Sequence, residues 1–146
     1  MGDVITLKEA TDESTYRLLE EKLLALSQAG NYAIVLYQGE GWCPDCTSAI
    51  EAFESIAGSV EENDIEFYSV FVGSKKEWKR CIDQVCSLRD NAFMRNKPHL
   101  QAVPTVCIYK GNEGFVLMAN LTVLSGNNYF DHKRLLEVVV NLSYEY

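Results

Sequence analysis

Residues 32–60 read YAIVLYQGEGWCPDCTSAIEAFESIAGSV, and the periodicity changes in the middle of the stretch. Residues 32–38 form a continuous apolar run of strand length, suited to a strand covered on both faces. From Cys46 the apolar side chains recur at i, i+3, i+4 and i+7, through Ala49, Ile50, Phe53, Ile56, Ala57 and Val60, as one helical stripe. Between strand and helix stand Trp42 and two cysteines, Cys43 and Cys46, with Pro44 and Asp45 between the sulfurs. A pair at this spacing can grip a metal, staple a loop or shuttle electrons as a dithiol.

Working outward, residues 3–9 alternate as a short strand, and a helix follows with Thr11 or Asp12 as its N-cap and Gly30 as its stop. Tyr16, Leu19, Leu23 and Leu26 make its apolar stripe. Beyond the motif, 65–73 reads as a strand. Residues 75–94 read as a polar helical segment with Trp78, Ile82, Val85 and Leu88 on one face. Strands at 105–110 and 115–122 are joined by the hairpin signal GNEG, and a last helix covers about 129–143. The predicted order is β-α-β-α-β-α-β-β-α, an α/β fold with a central mixed β-sheet flanked by helices. With no repeat, linker or low-complexity tract, one domain over residues 1–146 is expected.

Composition narrows the function. Hydrophobic residues make up 47% and charged residues 23%, as in globular rather than disordered chains. The net charge of -8 opposes binding to nucleic acid or an anionic membrane and favours partners with a basic docking surface. No basic start leads into an apolar run, and no apolar stretch is long enough to span a bilayer, so a cytoplasmic protein is expected. Five cysteines in that compartment do not make a disulfide framework; a close pair there is catalytic or metal-binding.

The two sulfurs differ in setting. Cys46 lies on the apolar stripe one turn inside the helix and should be buried. Cys43 sits at the strand-to-helix turn, where free N–H groups and the helix dipole favour an anion, and Pro44 suits the first helical position. The thiolate is the nucleophilic form, so Cys43 is placed to attack and Cys46 to resolve a mixed disulfide. A metal site needs two more ligands. Cys81 and Cys86 lie a whole strand away, and neither His99 nor His132 has ligand spacing, so no metal is expected.

Within a helix, Cys81 and Cys86 would have Cα atoms roughly 8.6 Å apart, beyond the roughly 7 Å limit for a disulfide. They read as two semi-buried free thiols, or as a regulatory pair if their segment is a non-helical loop. Cys107 reads as core. In AVPT, residues 102–105, Pro104 is either an ordinary strand-initiating turn residue or, beside a dithiol, a cis-proline. A cis Val103–Pro104 bond would present the Val103 backbone to an extended client peptide.

WCPDC, AVPT and the element order resemble the thioredoxin superfamily. VG at 72–73, Trp78-Lys79 and DNAF at 90–93 narrow the resemblance to the thioredoxin domain-containing protein 17 family, also called thioredoxin-related proteins of 14 kDa. The resemblance covers nearly the whole chain. It implies the thioredoxin fold and a cytosolic thiol-disulfide oxidoreductase that binds no cofactor and is recharged by NADPH through thioredoxin reductase. Its substrates would be small or protein disulfides, with peroxide removal as a side activity and a role in inflammatory signalling.

Carried over by position, Cys43 is the nucleophile, Cys46 resolves, Trp42 shields the site and Pro104 is the cis-proline. A monomer is expected. Two departures border the motif: only GEG separates Gln38 from Trp42, and the Gly73-to-Pro104 segment is longer and carries Cys81 and Cys86. The competing reading is a redox-gated adaptor that binds a partner in the groove beside Trp42 and Pro104. Asp45 favours the helix as a first-turn carboxylate by roughly 0.3–1 kcal/mol. It also opposes a Cys43 thiolate and places negative charge where clients dock.

Overall fold

The computed structural model describes residues 3–27, 31–60, 65–78, 91–111 and 115–122. Along them run β1 (Val4–Leu7), α1 (Asp12–Ser27), β2 (Tyr32–Gln38), α2 (Pro44–Ser59), β3 (Ile65–Phe71), α3 (Lys75–Trp78), α4 (Ala92–Arg95), β4 (Thr105–Gly111) and β5 (Phe115–Thr122). The strands form one sheet in the order β1-β3-β2-β4-β5. β1, β3 and β2 run parallel, whereas β4 is antiparallel to β2 and β5 to β4. In register, Ile34 of β2 stands between Phe67 of β3 and Ile108 of β4.

β2 is central, and all seven of its residues are buried. Its two-residue period divides the core into two layers. Ile34 and Leu36 join Phe53, Ile56 and Ala57 of α2 and Phe67 of β3 on one face. Val35 and Tyr37 join Leu19 of α1, Val70 of β3 and Phe93 of α4 on the other. Helices therefore cover both faces, which explains why β2 reads as an unbroken apolar run. Strand β2 ends at Gln38, where the chain turns toward α2, so both the motif and its helix are carried on a central, fully buried strand.

Thr11 is the cap of α1: Ser14 N–H donates to Thr11 Oγ1 and Thr11 N–H to Ser14 Oγ, each at 3.1 Å. The Asp12 side chain is then available for another use. Only 3% exposed, it accepts the Ala92 N–H at 2.8 Å through Oδ2.

One predicted element is corrected. Residues 75–94 are not a single helix, because Asn91 is extended (φ -67, ψ 134) and caps α4. Its Oδ1 accepts the Phe93 N–H and its Nδ2 donates to Val72 O, both at 2.8 Å, so a tertiary contact overrides the helical pattern. Residues 79–90, with Cys81, Ile82, Val85, Cys86 and Leu88, lie outside the described residues. So do Gly30, residues 112–114 of the hairpin turn, His132 and the expected helix at 129–143. Among the described residues no helix is long and apolar enough to cross a membrane.

Candidate functional site: a dithiol at a helix mouth

Residues 39–43 fold tightly between β2 and α2. Trp42 N–H and Cys43 N–H both donate to Gly39 O, at 3.3 and 3.0 Å, and Gly41 takes the left-handed conformation (φ 96) that glycine tolerates. Cys43 is the N-cap of α2 and Pro44 opens the helix, where its missing N–H costs nothing. The Cys43 sulfur accepts the Cys46 N–H at 3.2 Å, the role a serine or threonine oxygen plays at an ordinary cap.

Cys43 and Cys46 are joined as a disulfide with Cα atoms 5.2 Å apart. Their environments differ: Cys43 is half-buried, whereas Cys46 has no exposed surface and its sulfur accepts the Gly39 N–H at 3.3 Å. Once the bond is reduced, the helix N-terminus and the Cys46 N–H both favour negative charge on the outer sulfur. The inner sulfur is sealed beneath the turn and is reached only through its partner. Asp45, half-buried, follows Pro44 in the first turn, where its carboxylate complements the helix dipole.

Trp42 forms one wall. Its Nε1–H donates to Gly73 O at 2.9 Å, and its ring lies 6.2 Å from that of Trp78, tilted by 34°. A Cβ on Gly39 would overlap the indole, so glycine is required there for close approach. Val103 forms another part of the site: its carbonyl oxygen lies 3.8 Å from Cys43 Sγ, and the Val103–Pro104 bond is cis. A second cis bond, Lys97–Pro98, has no counterpart in the sequence reading.

Sequence reasoning missed the supports. Gly39, the Gly73 carbonyl and the Ser74/Glu77 pair all brace Trp42 or the turn that holds it. Ser74-x-x-Glu77 is a legible capping box, in which Glu77 N–H donates to Ser74 Oγ at 3.1 Å and Ser74 N–H to Glu77 Oε1 at 2.8 Å. The role of Gly39 has no such signal, because it depends on where the indole folds back.

Cys107 lies buried in β4, and burial pushes its thiol up to about 12, which makes it a poor nucleophile beside Cys43. Among the described residues no group of three or more His, Cys, Asp and Glu side chains is placed to hold a metal ion.

The backbone resembles those of thioredoxins in fold. Arabidopsis thaliana thioredoxin O2 in its oxidised state matches with a TM-score of 0.58 and 15% identity, over 97% of this chain and 95% of that one. Spinach chloroplast thioredoxin F in its short form matches at 0.58 and 18% identity, over 96% and 93%. The complex of ferredoxin:thioredoxin reductase with thioredoxin f2 contributes a further match, at 0.59 and 13%, over 97% and 96%. No curated protein sequence matches the chain. The family model described as thioredoxin domain-containing protein 17-like, thioredoxin domain, matches residues 8–122. The chain therefore belongs to the thioredoxin domain-containing protein 17-like family and has the thioredoxin fold.

Proposed function

We propose that the chain, as a single monomeric domain over residues 1–146, is a cytosolic reductase of protein and small-molecule disulfides that works through Cys43 and Cys46. Thioredoxin-fold proteins with such a cysteine pair are generally disulfide oxidoreductases. The observation that carries the reading is the asymmetry of the pair: one half-buried sulfur at a helix mouth is bonded to one with no exposed surface.

In the reduced protein the Cys43 thiolate attacks a client disulfide. A Cys43–client mixed disulfide forms and one client sulfur leaves as thiolate. The Cys46 thiolate then attacks the Cys43 sulfur, releases the second client thiolate and closes the Cys43–Cys46 bond. Two electrons pass to the client, and the client thiolates take up the two protons the dithiol gives up. Gly39 N–H stabilises the Cys46 sulfur as it ionises, and Cys46 N–H does so for Cys43. An extended client strand pairs with the Val103 backbone while Trp42 covers one side of the reacting sulfurs.

The electron donor in this reading is thioredoxin reductase, supplied by NADPH. The reductase complex of thioredoxin f2, a protein of the same fold, supports a donor of that general type. NADPH oxidation, followed with thioredoxin reductase and a small disulfide as substrate, tests the proposal. Cys43→Ser should abolish turnover, and retained turnover in that variant would sink it. Partner binding that survives loss of both cysteines, with no turnover in the intact protein, would favour the adaptor reading instead.

A further inference from the structure

We infer that Glu77 is a positioning residue of the dithiol site, holding the Trp42 indole through the Gly73 carbonyl. The inference rests on the disulfide-reductase reading above. Trp42 matters to the sulfur beside it because Trp42 N–H and Cys43 N–H share one acceptor, Gly39 O. Movement of the indole therefore bears on the turn that sets Cys43.

The indole has one hydrogen-bonding group, and it is spent on Gly73 O at 2.9 Å. Gly73 is left-handed (φ 110), and both peptides that flank it are pinned from outside the turn. On the N-terminal side, Val72 O accepts from Asn91 Nδ2 and Val72 N–H donates to Gln38 O at 3.0 Å. On the C-terminal side, Ser74 N–H donates to Glu77 Oε1 at 2.8 Å.

Glu77 does more than cap its own short helix. Its other oxygen accepts the Asp12 N–H at 3.3 Å, and Asp12 in turn holds the first N–H of α4. A Cβ on Gly73 would come within 2.8 Å of Glu77 Oε1 and 3.2 Å of Asp12 Cβ, so the turn rests directly on both residues. Glu77 therefore ties the Gly73–Ser74 turn to α1, and the turn ties the indole down. The role needs two acceptor oxygens at the end of an arm of this length: one side chain must accept from both Ser74 N–H and Asp12 N–H.

The two bonds are separated by Glu77→Asp, which shortens the arm for both, and Glu77→Gln, which keeps the arm's length and one acceptor oxygen for Ser74 N–H but turns an NH2 donor toward Asp12 N–H. The probe is hydrogen exchange of the Trp42 indole N–H by NMR, with the two tryptophan signals assigned through Trp78→Phe. Glu77→Asp and Glu77→Ala should each speed that exchange about tenfold, while Glu77→Gln, which retains the Ser74 bond alone, should fall between them and the wild type. KM for the small disulfide should rise several-fold in Glu77→Asp and Glu77→Ala, with kcat changed less.

Unchanged indole exchange in Glu77→Asp, or Glu77→Gln behaving like Glu77→Ala, overturns the inference. So does an acceleration shared equally by the core amides of β2, which would mark a purely structural role. The exchange measurement needs no turnover, so its failure is distinct from failure of the reductase reading, which Cys43→Ser tests.

Discussion

The backbone N–H of Cys46 points at the sulfur of Cys43, 3.2 Å away. Because this donor belongs to the main chain, it survives replacement of the Cys46 side chain. Cys46→Ser should therefore keep a reactive Cys43, with an alkylation rate within a few-fold of the reduced wild type. The same variant lacks the sulfur that closes the cycle, so mixed disulfides with clients should accumulate. Non-reducing electrophoresis and intact mass of captured clients provide the check. Multiple turnovers in Cys46→Ser would show that another group resolves the intermediate.

Asp45 stands in the first turn of α2, two residues past Cys43. Its charge suits the helix dipole but opposes a thiolate on its neighbour. Asp45→Asn should raise the alkylation rate of Cys43 near neutral pH by up to about tenfold, since a solvent-screened unit charge a few ångströms away is worth about 1 kcal/mol. The gain should shrink in 1 M salt, where screening acts over about 3 Å. The variant should also accept more clients than the wild type. An unchanged rate–pH profile together with an unchanged client range refutes this role.

Most of the site's centre is legible in the sequence, because it depends on local periodicity and helix-end chemistry. The apolar stripe puts Cys46 inside, and the turn residues put Cys43 at the helix mouth. The fold follows from strands that alternate with helices, β2 being apolar from Tyr32 to Tyr37 because both its faces are covered. The outer supports are less legible, because they join residues distant in sequence. Asn91 is extended within the predicted 75–94 helix, held by bonds to Phe93 and Val72, and no helical pattern contains that information. Asp12 reads as a possible cap of its own helix yet serves α4, which lies 80 residues later. Only the Ser74/Glu77 box carries a local signature for a part of the site that sequence reading passed over.

Gly39 faces the indole of Trp42 so closely that a methyl group would overlap three ring atoms. The ring cannot simply retreat, since its Nε1–H is bonded to Gly73 O. Gly39→Ala should therefore displace the indole and cost about 1–3 kcal/mol, as overpacking does in other tight interiors. Tryptophan emission and urea unfolding monitor the two effects. Wild-type emission and stability in the Gly39→Ala variant would show that the turn relaxes without moving Trp42.

The hydroxyls of Tyr37 and Tyr109 meet at 2.8 Å in the core, in the same buried layer as Cys107. Burial is the main reason that all three hold their protons more tightly than usual, and Cys107 is pushed from 9.0 to about 12. In the unfolded chain the thiol ionises near pH 9 and the phenols near pH 10, while the folded protein keeps them neutral. Above pH 9 the unfolded state therefore binds fewer protons than the folded state, and the sign of the linkage is a loss of stability with rising pH. The contribution is fully present below about pH 9 and should drain away from there toward pH 12. Each group that is ionised only when unfolded adds a slope of at most about 1.4 kcal/mol per pH unit. For the oxidised protein, the urea midpoint should hold steady between pH 7 and 8.5 and fall above 9. Cys107→Ala should remove the thiol's share, so that the decline starts about one unit later with the phenols. A midpoint that stays level to pH 11, or an onset that Cys107→Ala leaves in place, would mean that these groups titrate alike in both states.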